Sequence, residues 1–187
     1  MKKLRKKLKS RRSFSWMNPK LEIRSTEKYG KGIFTKKDIR KGEMLFVMGG
    51  YIVTTEDENK YGDIVMNYDM DLSRDFSFSP LCEDDLDLMP QHYVNHSCNP
   101  NAGFKGQVFM IAMRKIKRGE EIVYDYSMVT LYQKLNKEHF VIKKCLCGSR
   151  KCRGIIKEDD WKISNLQKRY DGYFQWFIQE KINNIKK

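Results

Sequence analysis

The sequence predicts a mainly β fold with some α, its helix gathered at the C-terminal end. Three observations carry this expectation. Short apolar runs broken by glycine fill Leu21 to Tyr126, three- and four-residue apolar spacing follows Gly154, and three of the five cysteines crowd into Cys145–Cys152. At 187 residues and 40 % hydrophobic composition the chain can bury one ordinary core, and its composition demands no second one.

The first element is a cationic arm, read as residues 1–18. Residues 1–12 hold eight Lys and Arg and no acid, so like charges repel along the segment. A solubilising tail, a nucleic-acid-binding arm or nuclear-import signal, and a mitochondrial presequence all fit, the last because no acid precedes Glu22. The formal net charge of +13 points to an anionic partner such as nucleic acid or a membrane surface. No run approaches the ~20 apolar residues of a spanning helix, and no hydrophobic core of a signal peptide follows the cationic start. The chain is therefore read as soluble, not secreted and without a membrane role.

The β-like runs are Gly32–Thr35, Met44–Met48, Gln107–Met113 and Glu121–Tyr124, lengths that fit several small sheets better than a helical bundle. Two of them follow nearly the same phrase, Ile39-Arg40-Lys41-Gly42-Glu43 and Ile116-Lys117-Arg118-Gly119-Glu120, each read as a charged turn feeding a strand. Between Glu56 and Asp87 eleven acids face only Lys60 and Arg74, a local charge of about −9 in a basic protein. A solvated insertion and a docking surface for a basic peptide both fit that segment.

After Gly154, Ile163, Leu166, Tyr170, Phe174, Phe177, Ile182 and Ile185 outline a helical stripe that belongs to the core, bent near Gly172, with Asp159 and Asp160 suited to its N-terminus. Before it, Cys145-Leu146-Cys147-Gly148-Ser149-Arg150-Lys151-Cys152 offers three thiols that can converge on one tetrahedral ion. Zinc suits thiolates and needs no redox activity. Cys98, in Asn95-His96-Ser97-Cys98-Asn99-Pro100-Asn101, is the best available fourth ligand, which leaves Cys82 outside. Lys143, Lys144, Arg150, Lys151 and Arg153 could offset the negative charge of four thiolates on Zn²⁺. Coincidental cysteine clustering is the competing reading, as a structural histidine in a polar loop is for His96.

Tyr29-Gly30-Lys31-Gly32-Ile33-Phe34, then Asn95-His96-Ser97-Cys98, then Gly119-Glu120-Glu121-Ile122-Val123-Tyr124-Asp125-Tyr126, then the cysteine array, resemble in order the motifs of SET-domain lysine methyltransferases with a zinc-binding post-SET segment. The resemblance implies a SET fold of several small sheets with a pseudoknot: a SET domain over 19–130 with the acidic insert at about 56–87, a post-SET segment over 131–157 and a C-terminal helical extension over 158–187. It implies S-adenosylmethionine as cofactor, with Gly30, Lys31 and Gly32 near its methionine portion, Asn95 and His96 at its amino-acid and adenine ends, and Tyr126 beside it. The pseudoknot would bring Asn95 and Tyr126 together.

By the same resemblance Tyr126 orients the substrate amine and the methyl group, and Tyr124 influences how many methyl groups are added, tyrosine there implying mono- or dimethylation. Both phenols, two residues apart, are expected on one face of a strand. A histone tail is the implied substrate, nucleosomal DNA a partner for the basic arm, zinc a structural ion, and the nucleus or chromatin of the cell or of a host the implied location, otherwise the cytoplasm. A catalytically inactive SET-like chromatin-binding module is the alternative. The chain departs from many relatives at His92-Tyr93, where they carry arginine and phenylalanine, and at Met48 and Met66, where channel tyrosines are common.

Overall fold

The computed structural model describes residues 13–26, 30–73, 75–129 and 141–185. The cationic stretch 1–12 and most of the start of the expected post-SET segment, 130–140, lie outside them. Among the described residues the strands gather into small sheets. One has the order β1 (Trp16–Met17), β4 (Met44–Val47), β10 (Phe109–Ala112), β9 (Ala102–Lys105), every pair antiparallel. Because side chains alternate along a strand, the row Met17, Phe46, Met110 and Phe104 faces inward. Phe46, Met110 and Phe104 are wholly buried, each adding about 1.5–3 kcal/mol of apolar transfer.

The second sheet runs β2 (Leu21–Thr26), β3 (Gly30–Thr35), β11 (Glu121–Tyr124), β8 (Asn95–His96), and its last pair is parallel. Ile33 and Ile122, register partners across β3 and β11, are completely buried. The two sheets are joined by the repeated phrase. Ile39 and Ile116 form a bridge, each N–H donating to the other's carbonyl at 2.9 and 3.0 Å, and both side chains are fully buried. Behind each, a glycine at φ 79° (Gly42) or 88° (Gly119) turns the chain into its strand, a left-handed backbone open to glycine at little cost.

The acidic stretch forms a unit of its own, the sheet β5 (Tyr51–Thr54), β7 (Phe76–Ser79), β6 (Met70–Asp71) with helices α1 (Thr55–Tyr61), α2 (Asp63–Tyr68) and α3 (Glu83–Leu86). Its carboxylates divide by role. Asp57 accepts from the backbone and hydroxyl of Thr54, Asp71 from Ser77, and the buried Asp85 from the Leu81 N–H, while Glu56, Asp75, Glu83, Asp84 and Asp87 are exposed.

A short pair, β12 (Val141–Ile142) and β13 (Ile156–Lys157), brackets the cysteines. The C-terminal stripe becomes α4 (Ser164–Arg169) and α5 (Trp176–Ile185), separated at Gly172 with φ 73°. Leu166, Tyr170, Phe174 and Ile182 join the core, whereas Ile163 and Ile185 are exposed. Asp159 and Asp160 do not begin this helix: they open a one-turn 3-10 segment, Asp160–Lys162, and α4 starts five residues after Asp159. The reason is electrostatic, since Asp160 turns inward to Arg153 at 3.0 Å. Residues 173–177 lie along the edge of β9, where Phe104 donates to Tyr173 and Trp176 donates to Gly106.

Candidate active site and metal centre

β11 is gripped by the loop 95–101. Val123 pairs with Asn95 and Tyr124 with His96 in parallel register, Ser97 N–H donates to the Tyr124 carbonyl at 2.9 Å, and the buried Asn101 side chain closes both ways onto Glu121 and Val123. A short polar loop thus fixes the strand that carries the tyrosines, because buried backbone groups must find partners. The loop that carries Asn95 and His96 meets the tyrosine turn: the His96 and Tyr126 rings stand 5.0 Å apart, and Asn95 sits opposite Val123. The Asn95 amide donates to the Lys31 carbonyl at 3.0 Å and to Glu121 at 2.7 Å, tying β8 to β3.

Gly30 and Gly32 serve that junction differently. Gly30 has φ 79° and nothing within 4 Å of a would-be Cβ, so the turn is open above it. At Gly32 a Cβ would come within 2.6 Å of Glu121 and 3.0 Å of the Asn95 amide, so the close approach there is to the protein's own side chains. Lys31 stands between them with its ammonium 4.9 Å over the Tyr93 ring.

Tyr124 ends β11 and Tyr126 opens the 3-10 turn Tyr126–Met128, so the phenols do not share a strand as the sequence suggested. Their rings nevertheless stand 5.1 Å apart, Tyr124 edge-on to Phe104 in the core and Tyr126 toward His96. Burial pushes Tyr126 up to about 12 and Tyr124 well above the ordinary phenol value. Both stay neutral near pH 7 and can orient a group by hydrogen bonding. Met48 lies in the same core cluster as Tyr124, and the Met66 side chain lies outside the described ones.

The ligand atoms of Cys98, Cys145, Cys147 and Cys152 lie within 4.8 Å of one another, and Cys98 and Cys145 sulfurs are 4.0 Å apart. Zn–S bonds of about 2.3 Å place tetrahedral sulfurs roughly 3.8 Å apart, so the set fits zinc. Cys82 stands apart, its thiol donating to Asp85. Burial opposes ionisation at Cys147, but N–H groups of Cys98 and Ser149 and adjacent thiols bring it down to about 7, while burial drives Cys98 and Cys145 upward. A divalent cation is what would let all four lose their protons together.

Arg153, expected to balance those thiolates, donates its backbone N–H to the Cys98 sulfur at 3.3 Å, and its positive charge favours the Cys98 thiolate. Its guanidinium turns inward and forks onto the fully buried Asp125, at 2.5 and 2.8 Å. His96 joins the two centres: its Nδ1 accepts the Tyr126 N–H at 3.2 Å, which leaves the proton on Nε2, 3.3 Å from the Cys98 sulfur. A cavity of about 250 Å³ opens beside this ring, lined by His96, Ser97, Asn101, Glu121, Val123 and Cys147 with Arg114 and Glu120. Sequence reading passed over Asp125, Asp160 and Asn101 as site residues. Their signal was slight, single acids and an amide in segments already explained as strand, cap and polar loop.

The family model for the SET domain matches residues 30–127. The chain is similar to the variant-silencing SET domain-containing protein of Plasmodium falciparum, 29 % identical over 150 residues, 71 % of this chain and 5 % of that protein. It is 28 % identical over 145 residues to a histone-lysine N-methyltransferase, H3 lysine-36 specific, of Candida albicans, covering 71 % of this chain and 16 % of the other. To histone-lysine N-methyltransferase 2B of Homo sapiens it is 29 % identical over 145 residues, 68 % of this chain and 5 % of that one. The chain thus spans under a fifth of the length of each of these three relatives.

Proposed function

This chain belongs to the SET-domain family, and from that premise we propose that it is a protein-lysine methyltransferase that draws on S-adenosylmethionine, with a histone tail as substrate and mono- or dimethylation as its product. The observation that supports this most directly is the meeting of Tyr124, Tyr126 and His96 at the β8–β11 junction, next to the start of β3 at Gly30–Gly32 and the four-thiol centre. The cofactor supplies an electrophilic sulfonium methyl group. The backbone at Gly30, Lys31 and Gly32, with Asn95 and His96, would hold it beside Tyr126.

The chemistry asked of the protein is modest and local. A free lysine of pKa ~10.4 must give up its proton at pH 7, at a cost of about 4.6 kcal/mol. The buried Tyr124 and the half-buried Tyr126, both neutral, offer a largely desolvated, hydrogen-bonding lining that favours the neutral amine. Tyr126 would orient that amine, since positioning supplies much of the acceleration in such a transfer. The Tyr124 hydroxyl would occupy room that further methyl groups need. Five exposed acids in the 56–87 unit can draw a basic tail toward the site, and the cationic start of the chain can contact nucleosomal DNA. Those partners place the protein at chromatin. Among the described residues no helix is long and apolar enough to cross a membrane.

Mass spectrometry of a histone-peptide time course tests the assignment. Tyr126→Phe should lose about 100-fold in rate with the fold kept, and Tyr124→Phe should stay active while shifting product toward higher methylation. Wild-type rates in Tyr126→Phe would sink the catalytic role, and an unchanged product distribution in Tyr124→Phe would sink the specificity role.

A further inference from the structure

Asp125 lies between the two phenols, with no exposed surface, and its carboxylate is fully engaged. Oδ1 accepts from Arg153 Nη2 at 2.8 Å and from the Ser127 N–H at 3.1 Å; Oδ2 accepts from Arg153 Nη1 at 2.5 Å and from the Tyr170 hydroxyl at 3.0 Å. A carboxylate offers about four acceptor sites, so none is left to vary. Three of the groups that set this arrangement come from beyond the stretch matched by the SET model: Arg153, Tyr170, which follows α4, and Asp160, which holds Arg153 Nε at 3.0 Å. The Cys98 carbonyl, 3.3 Å from the Tyr170 hydroxyl, accepts from Arg169 Nη1 at 3.2 Å, so the end of α4 bridges the metal-centre loop and the tyrosine turn.

We infer that the post-SET segment and the C-terminal extension together position the catalytic phenol: Arg153 and Tyr170 act through Asp125 to fix the backbone turn from which Tyr126 projects. The inference rests on the assignment of Tyr126 given above. A buried carboxylate with a forked guanidinium and a phenol on its two oxygens cannot rotate without leaving a charge unpaired, which pins the residue between the two tyrosines. His96 holds the Tyr126 N–H from the other side, so the turn is anchored at both ends. Tyr170 and Arg153 are therefore positioning residues, not catalytic ones.

The test is steady-state methylation of a histone peptide by the full chain, with zinc content and thermal midpoint measured on the same samples. Tyr170→Phe removes one hydroxyl and keeps the ring in the core, and it should lower kcat about tenfold with both KM values within twofold, one zinc per chain and an unchanged fold. Arg153→Lys keeps the charge but loses the fork, and it should show the same split. A wild-type kcat in Tyr170→Phe would overturn the inference, as would a loss of activity that tracks loss of zinc or of folded protein in both variants. Tyr126→Phe run alongside separates the two failures: if it is inactive while Tyr170→Phe is normal, only the positioning role falls, and if it is fully active, the catalytic assignment itself falls.

Discussion

His92 shows what one residue can do to the pH range of the fold. Burial lowers it to about 4 from 6.5, its Nε2 is sealed from solvent with no hydrogen-bond partner among the described residues, and its ring packs edge-on against Tyr68. Between those two pH values the unfolded chain binds the proton and the folded chain does not, so stability falls as pH drops from about 6.5 toward 4. The full deficit is about 3 kcal/mol, of which about 2 is reached at pH 5. Urea unfolding at pH 7 and pH 5 should show wild type losing about 2 kcal/mol more than His92→Phe; equal losses would place the protonated ring in solvent. Legibility at this scale followed chemical rarity. The four cysteines and the two tyrosines stood out because their types and spacing are uncommon, whereas Asp125 and Arg153 are ordinary charged residues whose partner is 28 positions away. Nothing local in the sequence says that a guanidinium beside a thiolate array will turn away from it.

At the scale of elements, the glycine-punctuated runs read well, since period-two alternation and turn glycines are local properties. Gln107–Met113 shortened to Phe109–Ala112 because a turn over 106–108 and a bend at Met113 claim its ends. The start of the C-terminal helix was missed for the opposite reason: Asp159 and Asp160 look like capping residues, and a tertiary ion pair outweighed that propensity. The edge of β9 gives a prediction. A Cβ on Gly103 would lie 2.8 Å from Tyr173 Cβ and 3.1 Å from Met113 Sδ, so Gly103→Ala must push the 173–177 segment off the strand. The expected cost is about 1–3 kcal/mol, with faster protease cleavage near Tyr173. An unchanged melting curve and digestion pattern would show that the segment is held elsewhere.

Across the whole molecule, the sheets and the C-terminal extension meet at the cysteine centre, where Cys98 is 47 residues from Cys145 in sequence and 4.0 Å from it in space. A strong chelator, or Cys147→Ser, should therefore remove zinc, lower the thermal midpoint and weaken S-adenosylmethionine binding together. Full cofactor affinity in zinc-free protein, measured by calorimetry, would show that the centre does not support the site. The closure at Asp125 also bears on how the protein is made. A ribosome releases Asp125 well before Arg153, and Tyr170 later still, so a nascent chain has a carboxylate with nowhere dry to go. Until those two side chains emerge, burying it would leave a bare charge in the core, and the Tyr126 turn stays open to water. Premature termination anywhere before residue 170 thus yields a chain in which Asp125 lacks at least one of its partners.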